Sequence, residues 1–167
     1  GRTNKTTLLD SANSAMVTDG TPLTVDGKEV SISYISSTQV KLTVDGETTN
    51  LLSNGGTYKL SDGTYVGIKN ILYDAKESGT SKVEVSIGSG KLELPHAGNI
   101  QINDVTIEEV VSFMNQDSTF NLDTIVLQWT TDDEAFIAPG TNLVMPGFES
   151  VEVSMGDFVT PKQETTI

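Results

Sequence analysis

The sequence of 167 residues contains no cysteine and only one histidine. Without cysteine there is no disulfide, no thiol nucleophile and no thiolate ligand for zinc, so stability has to come from packing and sheet hydrogen bonds. A Ser-His-Asp triad would have to use His96, which directly follows Pro95, and no Gly-x-Ser-x-Gly motif presents a nucleophile to it. We therefore interpret His96 as an exposed polar residue and expect a non-enzymatic protein with no catalytic residue and no required cofactor.

Basic residues are also scarce. Ten Lys and Arg stand against 23 Asp and Glu, which gives a formal net charge of -13. This charge repels nucleic-acid phosphates and anionic lipid headgroups, so neither is an expected partner. It also attracts divalent cations and opposes close packing of like subunits unless counter-ions are present. Calcium or magnesium is therefore an expected partner on electrostatic grounds.

Long apolar runs are absent from the sequence. None approaches the roughly 18 residues that cross a bilayer, and no basic-then-apolar segment opens the chain. We expect a soluble protein and interpret the chain as an excised or processed fragment whose signal and anchor lie elsewhere. Residues 1–16 are polar apart from Leu8, Leu9 and Met16, which predicts a linker or an edge strand. Asn4 begins an Asn-Lys-Thr sequon and is a candidate glycosylation site.

The sequence does contain residue pairs that favour tight turns. Asp-Gly pairs at Asp26-Gly27, Asp45-Gly46 and Asp62-Gly63 each stand between runs of alternating apolar residues, a strong signal for tight β-hairpins. From Leu23 onward apolar and polar residues alternate, which predicts strands with one buried and one solvated face. The predicted fold is all-β, in small antiparallel β-sandwich or barrel modules built from hairpins, with at most one short helix.

The pattern predicts two β domains, residues 17–94 and 95–167. Residues 104–115 are ambiguous between helix and strand. Apolar residues in this segment, Val110 and Met114 among them, fit helical spacing after an N-cap at Asp104 or Thr106. The alternation of Val110, Ser112 and Met114 fits a strand. Both alternatives stay open at the level of the sequence.

Asp132, Asp133 and Glu134 form the densest acidic run and follow the apolar segment that contains Trp129. Hard cations bind several converging carboxylate and carbonyl oxygens, so this run is a candidate calcium-binding loop, with a solvated acidic loop as the simpler interpretation. Paired acids also serve glycoside hydrolysis, but adjacent acids on one turn rarely face each other across a sugar. The Asp-Gly pairs, in contrast, are explained by turn geometry alone.

Aromatic side chains make up only 6% of the sequence. Trp129, Phe136, Phe148 and Phe158 are candidates for a carbohydrate-stacking platform, although such widely spaced aromatic residues in a β protein are more often core residues. Burial separates the two interpretations, because a stacking platform requires rings exposed on one face.

Several sequence blocks together resemble the β-modules of archaeal surface-layer and surface-layer-like cell-envelope proteins. They are DGETTNL at Asp45–Leu51, YKLSDGTYVGIKNILYDAK at Tyr58–Lys76 and VEVSIGSGKLEL at Val83–Leu94. The segments IQINDVTI, IVLQWTTDDEAFIAPG and LVMPGFESVEVSMGDF resemble the part that commonly follows in the same proteins.

The resemblance implies secreted, often glycosylated modules that tile into a paracrystalline coat, with no catalytic residues to carry over. We therefore expect a structural, extracellular module of a cell-surface coat that associates with itself or with neighbouring modules in a cation-dependent way. The alternative is a carbohydrate-binding or adhesion module of a secreted protein, whose partner would be a glycan.

Overall fold

The computed structural model describes residues 5–10, 12–76, 79–116, 122–131 and 135–157. In these ranges every regular element is a β-strand, and each pair of strands with a described register is antiparallel, which confirms the all-β prediction. The chain divides into two compact units, which we call the N-terminal unit (residues 5–94 and 101–105) and the C-terminal unit (95–100 and 106–157). The domain boundary predicted from the sequence stays a prediction.

The strands are numbered in chain order. The first eleven are β1 (Lys5–Asp10), β2 (Asn13–Thr18), β3 (Leu23–Val25), β4 (Lys28–Ile35), β5 (Val40–Val44), β6 (Glu47–Thr48), β7 (Thr57–Lys59), β8 (Tyr65–Leu72), β9 (Lys82–Gly88), β10 (Gly90–Pro95) and β11 (Ala97–Ile102). The others are β12 (Val105–Gln116), β13 (Leu122–Trp129), β14 (Asn142–Met145) and β15 (Phe148–Ser154).

Two four-stranded sheets of the N-terminal unit pack as a sandwich. Their strand orders are β3-β4-β5-β6 and β2-β9-β8-β7. Fourteen buried apolar side chains form one core: twelve come from strands of the two sheets, such as Leu42 of β5 and Ile87 of β9, and two, Leu52 and Leu60, come from the connections. The core follows the predicted alternation, because Val40, Leu42 and Val44 are buried while the residues between them are only partly covered. Each fully buried side chain of this kind stabilises the fold by about 1.5–3 kcal/mol.

Two of the predicted Asp-Gly hairpins close as two-residue turns. Asp26 and Gly27 have φ values of 51° and 76°, and Asp45 and Gly46 have φ values of 47° and 83°. Positive φ at both central residues defines a type I′ turn, whose twist matches that of the flanking strands. These turns link β3 to β4 and β5 to β6 and confirm the hairpins predicted there.

The third Asp-Gly pair closes a longer loop. The Leu60 amide donates to the Thr64 carbonyl at 2.8 Å, and the Gly63 amide donates to the Leu60 carbonyl at 2.9 Å. Gly63 has a φ of 90°. This is a three-residue hairpin loop, in which a type I turn is followed by a left-handed glycine. The hairpin between β7 and β8 is confirmed, with a turn type different from the other two.

The ambiguous segment 104–115 is a strand. Residues Asn103 and Asp104 both have positive φ, 52° and 69°, and form a two-residue turn between β11 and β12. Asn and Asp tolerate this conformation better than other residues with a side chain. Asp104 is therefore a turn residue and not a helix N-cap. β12 pairs with β13 from Val110 to Gln116, which excludes the helical alternative.

The C-terminal unit contains residues 97–100 of β11 and, among its other described residues, two pairs of strands. β12 and β13 form an antiparallel ribbon, and β14 and β15 form a hairpin. Buried apolar residues here are fewer than in the N-terminal unit: Ile100, Val110, Met114 and Met145.

Candidate functional site

The C-terminal unit exposes more of its apolar side chains than it buries. Among the described residues, four large apolar side chains of this unit are buried and eight are exposed. The exposed ones are Phe113, Leu122, Ile125, Val126, Phe136, Val144, Val151 and Val153. Exposed apolar surface that is grouped on a few elements is typical of an interaction site.

The β12–β13 ribbon has two different faces. Val110, Ser112 and Met114 of β12 are buried, and the residues opposite them on β13 include Ile125 and Trp129. On the other face Phe113 lies opposite Val126, and both side chains are exposed. An aromatic and a β-branched side chain in this position form a favourable cross-strand pair. The exposed face of the ribbon therefore carries one exposed apolar pair, Phe113 and Val126.

The aromatic residues predicted as a stacking platform do not share one environment. Phe136 is 86% exposed, whereas Trp129 and Phe148 are half-buried. Phe158 lies outside the described residues. Trp129 lies on β13 opposite Val110, on the face of the ribbon that is more buried. Among the members of this group that the structure describes, Phe136 is the most exposed aromatic side chain.

The N-terminal unit contains a polar cluster that the sequence did not reveal. Lys91 is buried and forms ion pairs with Asp104 and with Glu93, the latter with a 3.7 Å separation between Nζ and Oε2. The hydroxyl of Tyr65 donates to Asp104 Oδ2 at 2.9 Å, and the Lys91 ammonium lies 5.2 Å from the centre of the Tyr65 ring. Lys5 of β1 pairs with Glu93. The cluster ties β1, β8, β10 and the turn at Asp104 together.

The cluster changes the acid-base properties of two of its members. Burial, with the hydrogen bond to Asp104, raises the pKa of Tyr65 to about 12. The hydrogen bond from Lys91 lowers the pKa of Asp104. The phenol therefore stays protonated and the carboxylate stays charged over the whole physiological range, which is the state that the contacts require. This arrangement of ion pairs and hydrogen bonds stabilises the fold.

Acidic side chains at two hairpin tips share one lysine. Lys28 forms an ion pair with Asp62 and lies 3.9 Å from Asp45 Oδ2. The hydrogen bond between Lys28 and Asp62 lowers the pKa of Asp62 and raises that of Lys28. Glu47 accepts a hydrogen bond from the backbone amide of Ser61, which lowers the Glu47 pKa. The Lys28 ammonium therefore supplies the positive charge that pairs with the acidic side chains of both tips, in agreement with a structural role for the Asp-Gly pairs.

A groove of about 560 Å³ lies on the β2-β9-β8-β7 sheet beside β1. The hydroxyls of Ser14 and Ser86 lie 2.7 Å apart in it, and Lys69 donates to Ser14 at 3.4 Å. Gly67 forms part of the floor, where a Cβ would come within 3.1 Å of Leu9 Cδ1. Glycine therefore allows β1 to approach this sheet closely.

Of the residues that the sequence offered for catalysis, metal binding or glycosylation, the structure describes only His96. His96 is exposed, as expected, and its carbonyl accepts a hydrogen bond from the Met114 amide at 3.0 Å. The candidate calcium ligands and the candidate glycosylation site lie outside the described residues; these are Asp132, Asp133, Glu134 and Asn4. In the part of the chain that the structure describes, no three His, Asp or Glu side chains converge to hold a metal ion.

The polar cluster around Lys91 had a partial signal in the sequence. Lys91 and Glu93 are two residues apart on a strand and so share a face. Asp104, however, lies 39 residues from its partner Tyr65, and nothing local connects the two.

The described residues contain no helix long and apolar enough to span a bilayer. Comparisons with family models, with curated proteins and with solved structures find no match to this chain.

Proposed function

We propose that this chain is a structural, non-enzymatic module of an extracellular, surface-layer-like protein coat. Its function is to associate with copies of itself or with neighbouring modules of the same surface protein. The proposal joins the resemblance of the sequence blocks to archaeal surface-layer modules with the surface of the C-terminal unit.

One observation carries the proposal. In the described part of the C-terminal unit, exposed large apolar side chains outnumber buried ones by eight to four. Burying such surface against another molecule is favourable by roughly 25 cal/mol per Å². The N-terminal unit has a closed core of its own and leaves less apolar surface uncovered relative to what it buries. A closed core in one unit together with exposed apolar side chains in the other is suited to association with another molecule rather than to catalysis.

Charge sets the condition for association. Each copy carries a formal charge of -13, so two copies repel each other at low ionic strength. Salt screens this repulsion over a Debye length that falls to about 8 Å at physiological ionic strength. Divalent cations bound between carboxylates have a stronger effect, and Asp132, Asp133 and Glu134 are the proposed calcium ligands. We expect assembly to depend on ionic strength and, beyond that, on calcium.

Sedimentation velocity of the full chain, across calcium, magnesium and sodium chloride titrations of matched ionic strength, tests this proposal. The mass is expected to rise with each salt and to rise further with calcium. The variant Asp132→Asn, Asp133→Asn, Glu134→Gln is expected to keep the response to sodium chloride and to lose the additional response to calcium. A chain that stays monomeric in all salts, up to millimolar protein, contradicts the proposal.

A second candidate function is binding of a glycan, and the exposure of Phe136 favours it. An exposed aromatic ring stacks on the apolar face of a sugar ring. Calorimetric titration with cell-wall oligosaccharides tests this function, with Phe136→Ala as the variant and Phe113→Ala as a control on another exposed aromatic side chain. Loss of binding only in Phe136→Ala supports it. Absence of binding in the unmodified chain rejects it.

A further inference from the structure

β13 forms the end of its sheet. Its neighbour on one side is β12, and no other strand among the described residues pairs with it. An edge strand presents unpaired backbone amides and carbonyls, and another extended chain is the natural partner for them.

The structure shows which residues of β13 face this open edge. The Thr130 amide donates to the Glu109 carbonyl at 3.0 Å, so the backbone of Thr130 faces β12. Residues alternate along an antiparallel ladder, so Ile125, Leu127 and Trp129 turn their amides and carbonyls away from β12. The Met114 amide agrees with this pattern, because it points away from its β13 neighbour and donates to the His96 carbonyl.

The part of β13 from residue 124 to 129 lacks the features that usually protect an edge, because the charged side chain and the bulge of this strand both lie at Asp123. Residues 124–131 contain no charged residue and no proline, and they are rich in β-branched and aromatic residues. Natural edge strands commonly carry lysine, proline or a bulge that prevents pairing with another molecule. In a chain of net charge -13, this is a stretch where two copies approach without direct repulsion between facing side chains.

We propose that β13 pairs antiparallel with β13 of a second copy of this chain, around a twofold axis at Leu127. This inference rests on the proposed function in self-association and names the strand that mediates it. In this register Leu127 faces Leu127 of the second copy, and Ile125 faces Trp129. The bulge at Asp123 lies four residues from the axis, so the two Asp123 side chains are on opposite sides of the axis and do not face each other. A twofold axis makes the contact self-complementary.

The contact is expected to be weak for a single pair of chains. One pair of strands covers less than the roughly 800 Å² per partner of a standard stable interface. Many such contacts acting together in a coat would still give a stable assembly, since linked contacts add through avidity. The test therefore uses protein concentrations up to the millimolar range.

Cysteine cross-linking tests both the strand and the register, because the chain has no other cysteine. In the proposed register two Leu127→Cys side chains meet, with Cα atoms about 5.5 Å apart, within the range that a disulfide bridges. The control Ile125→Cys, on the same strand and the same face, places its two thiols roughly 13 Å apart at about 3.3 Å per residue. Oxidation and a short thiol cross-linker are expected to give covalent dimer with Leu127→Cys alone.

A matched pair of lysine variants measures the strength of the contact. Val126 and Val144 are 44% and 43% exposed, and only Val126 lies on β13. We expect Val126→Lys to weaken self-association several-fold and Val144→Lys to leave it unchanged, as measured by sedimentation velocity under the same salt.

The outcomes separate this inference from the proposed function. Cross-linking of Leu127→Cys but not of Ile125→Cys, with association weakened only by Val126→Lys, supports the inference. If the unmodified chain associates but the two cysteine variants behave alike, the inference is wrong and the proposed function remains. If the unmodified chain is monomeric under all conditions, both are wrong.

Discussion

The N-terminal and C-terminal units use the same kind of apolar alternation with opposite results. In the described residues, the N-terminal unit buries sixteen large apolar side chains and exposes eight, while the C-terminal unit buries four and exposes eight. In the N-terminal unit, two four-stranded sheets cover each other's apolar faces. Alternation of apolar and polar residues therefore identifies a strand face that can be buried. Whether that face is buried depends on a second sheet that packs against it.

The two units should differ most in what their apolar side chains contribute to stability. Leu42→Ala removes a fully buried side chain from the sandwich and is expected to lower the free energy of unfolding by about 2–5 kcal/mol. Leu122→Ala, at an exposed position of β13, is expected to change it by less than about 0.5 kcal/mol. Urea denaturation of both variants measures this difference. Equal losses would show that the two units are packed alike.

Lys91→Met tests the buried polar cluster of the N-terminal unit. The change removes the cation shared by Asp104 and Glu93, and the exposure of Asp104 to solvent reduces the cost to about 2–3 kcal/mol. The control Lys69→Met breaks an exposed ion pair with Glu84, and its cost is expected to be about 0–1 kcal/mol. Thermal and urea unfolding measure both. A Lys91→Met protein as stable as Lys69→Met would contradict a stabilising role for the cluster.

The loss of folding stability at alkaline pH is expected to depend on Tyr65. Its pKa is raised to about 12 in the folded protein, so the stabilisation is complete below the ordinary tyrosine pKa of 10.0 and is lost as pH rises from there through about 12. At about 1.4 kcal/mol per pKa unit, the contribution is at most about 2–3 kcal/mol.

The stability advantage of the unmodified chain over Tyr65→Phe is therefore expected to shrink between pH 10 and about 12. Tyr34→Phe, at a position that is 51% exposed, serves as the control for removal of a tyrosine hydroxyl. Chemical denaturation at a series of pH values measures these differences. A constant advantage across this range would exclude the assigned role of the Tyr65 hydroxyl.

A smaller effect is expected at a turn. Gly27 has a φ of 76°, and a Cβ added there would meet open space, so Gly27→Ala tests backbone strain without a steric clash. The expected loss is about 1–2 kcal/mol. Gly156→Ala in the C-terminal unit also meets open space and lacks a positive φ, so it is expected to be nearly neutral. Thermal melting compares the two, and similar melting temperatures would contradict the type I′ assignment.

The hairpins and the all-β class were predictable because their causes are local. Asp-Gly pairs accept the positive φ values that type I′ turns require, and neighbouring residues supply the alternation. The strand at residues 105–116 could not be predicted from local sequence. Its apolar residues satisfy helical and strand spacing alike, and pairing with β13 determines the outcome. The turn at Asn103 and Asp104 was not predicted, because neither position is glycine.

The fold class, the places of the Asp-Gly turns, the acidic charge and the absence of a thiol follow from the sequence alone. Charge and thiol content are sums over the residues of the chain, and the turns and strand patterns depend on nearest neighbours along it. The assembled fold decides which alternating strands are buried, that Lys91 and Asp104 meet beside Tyr65, and that β13 ends its sheet. These features depend on contacts between residues far apart in the chain, and such contacts form only when the sheets come together.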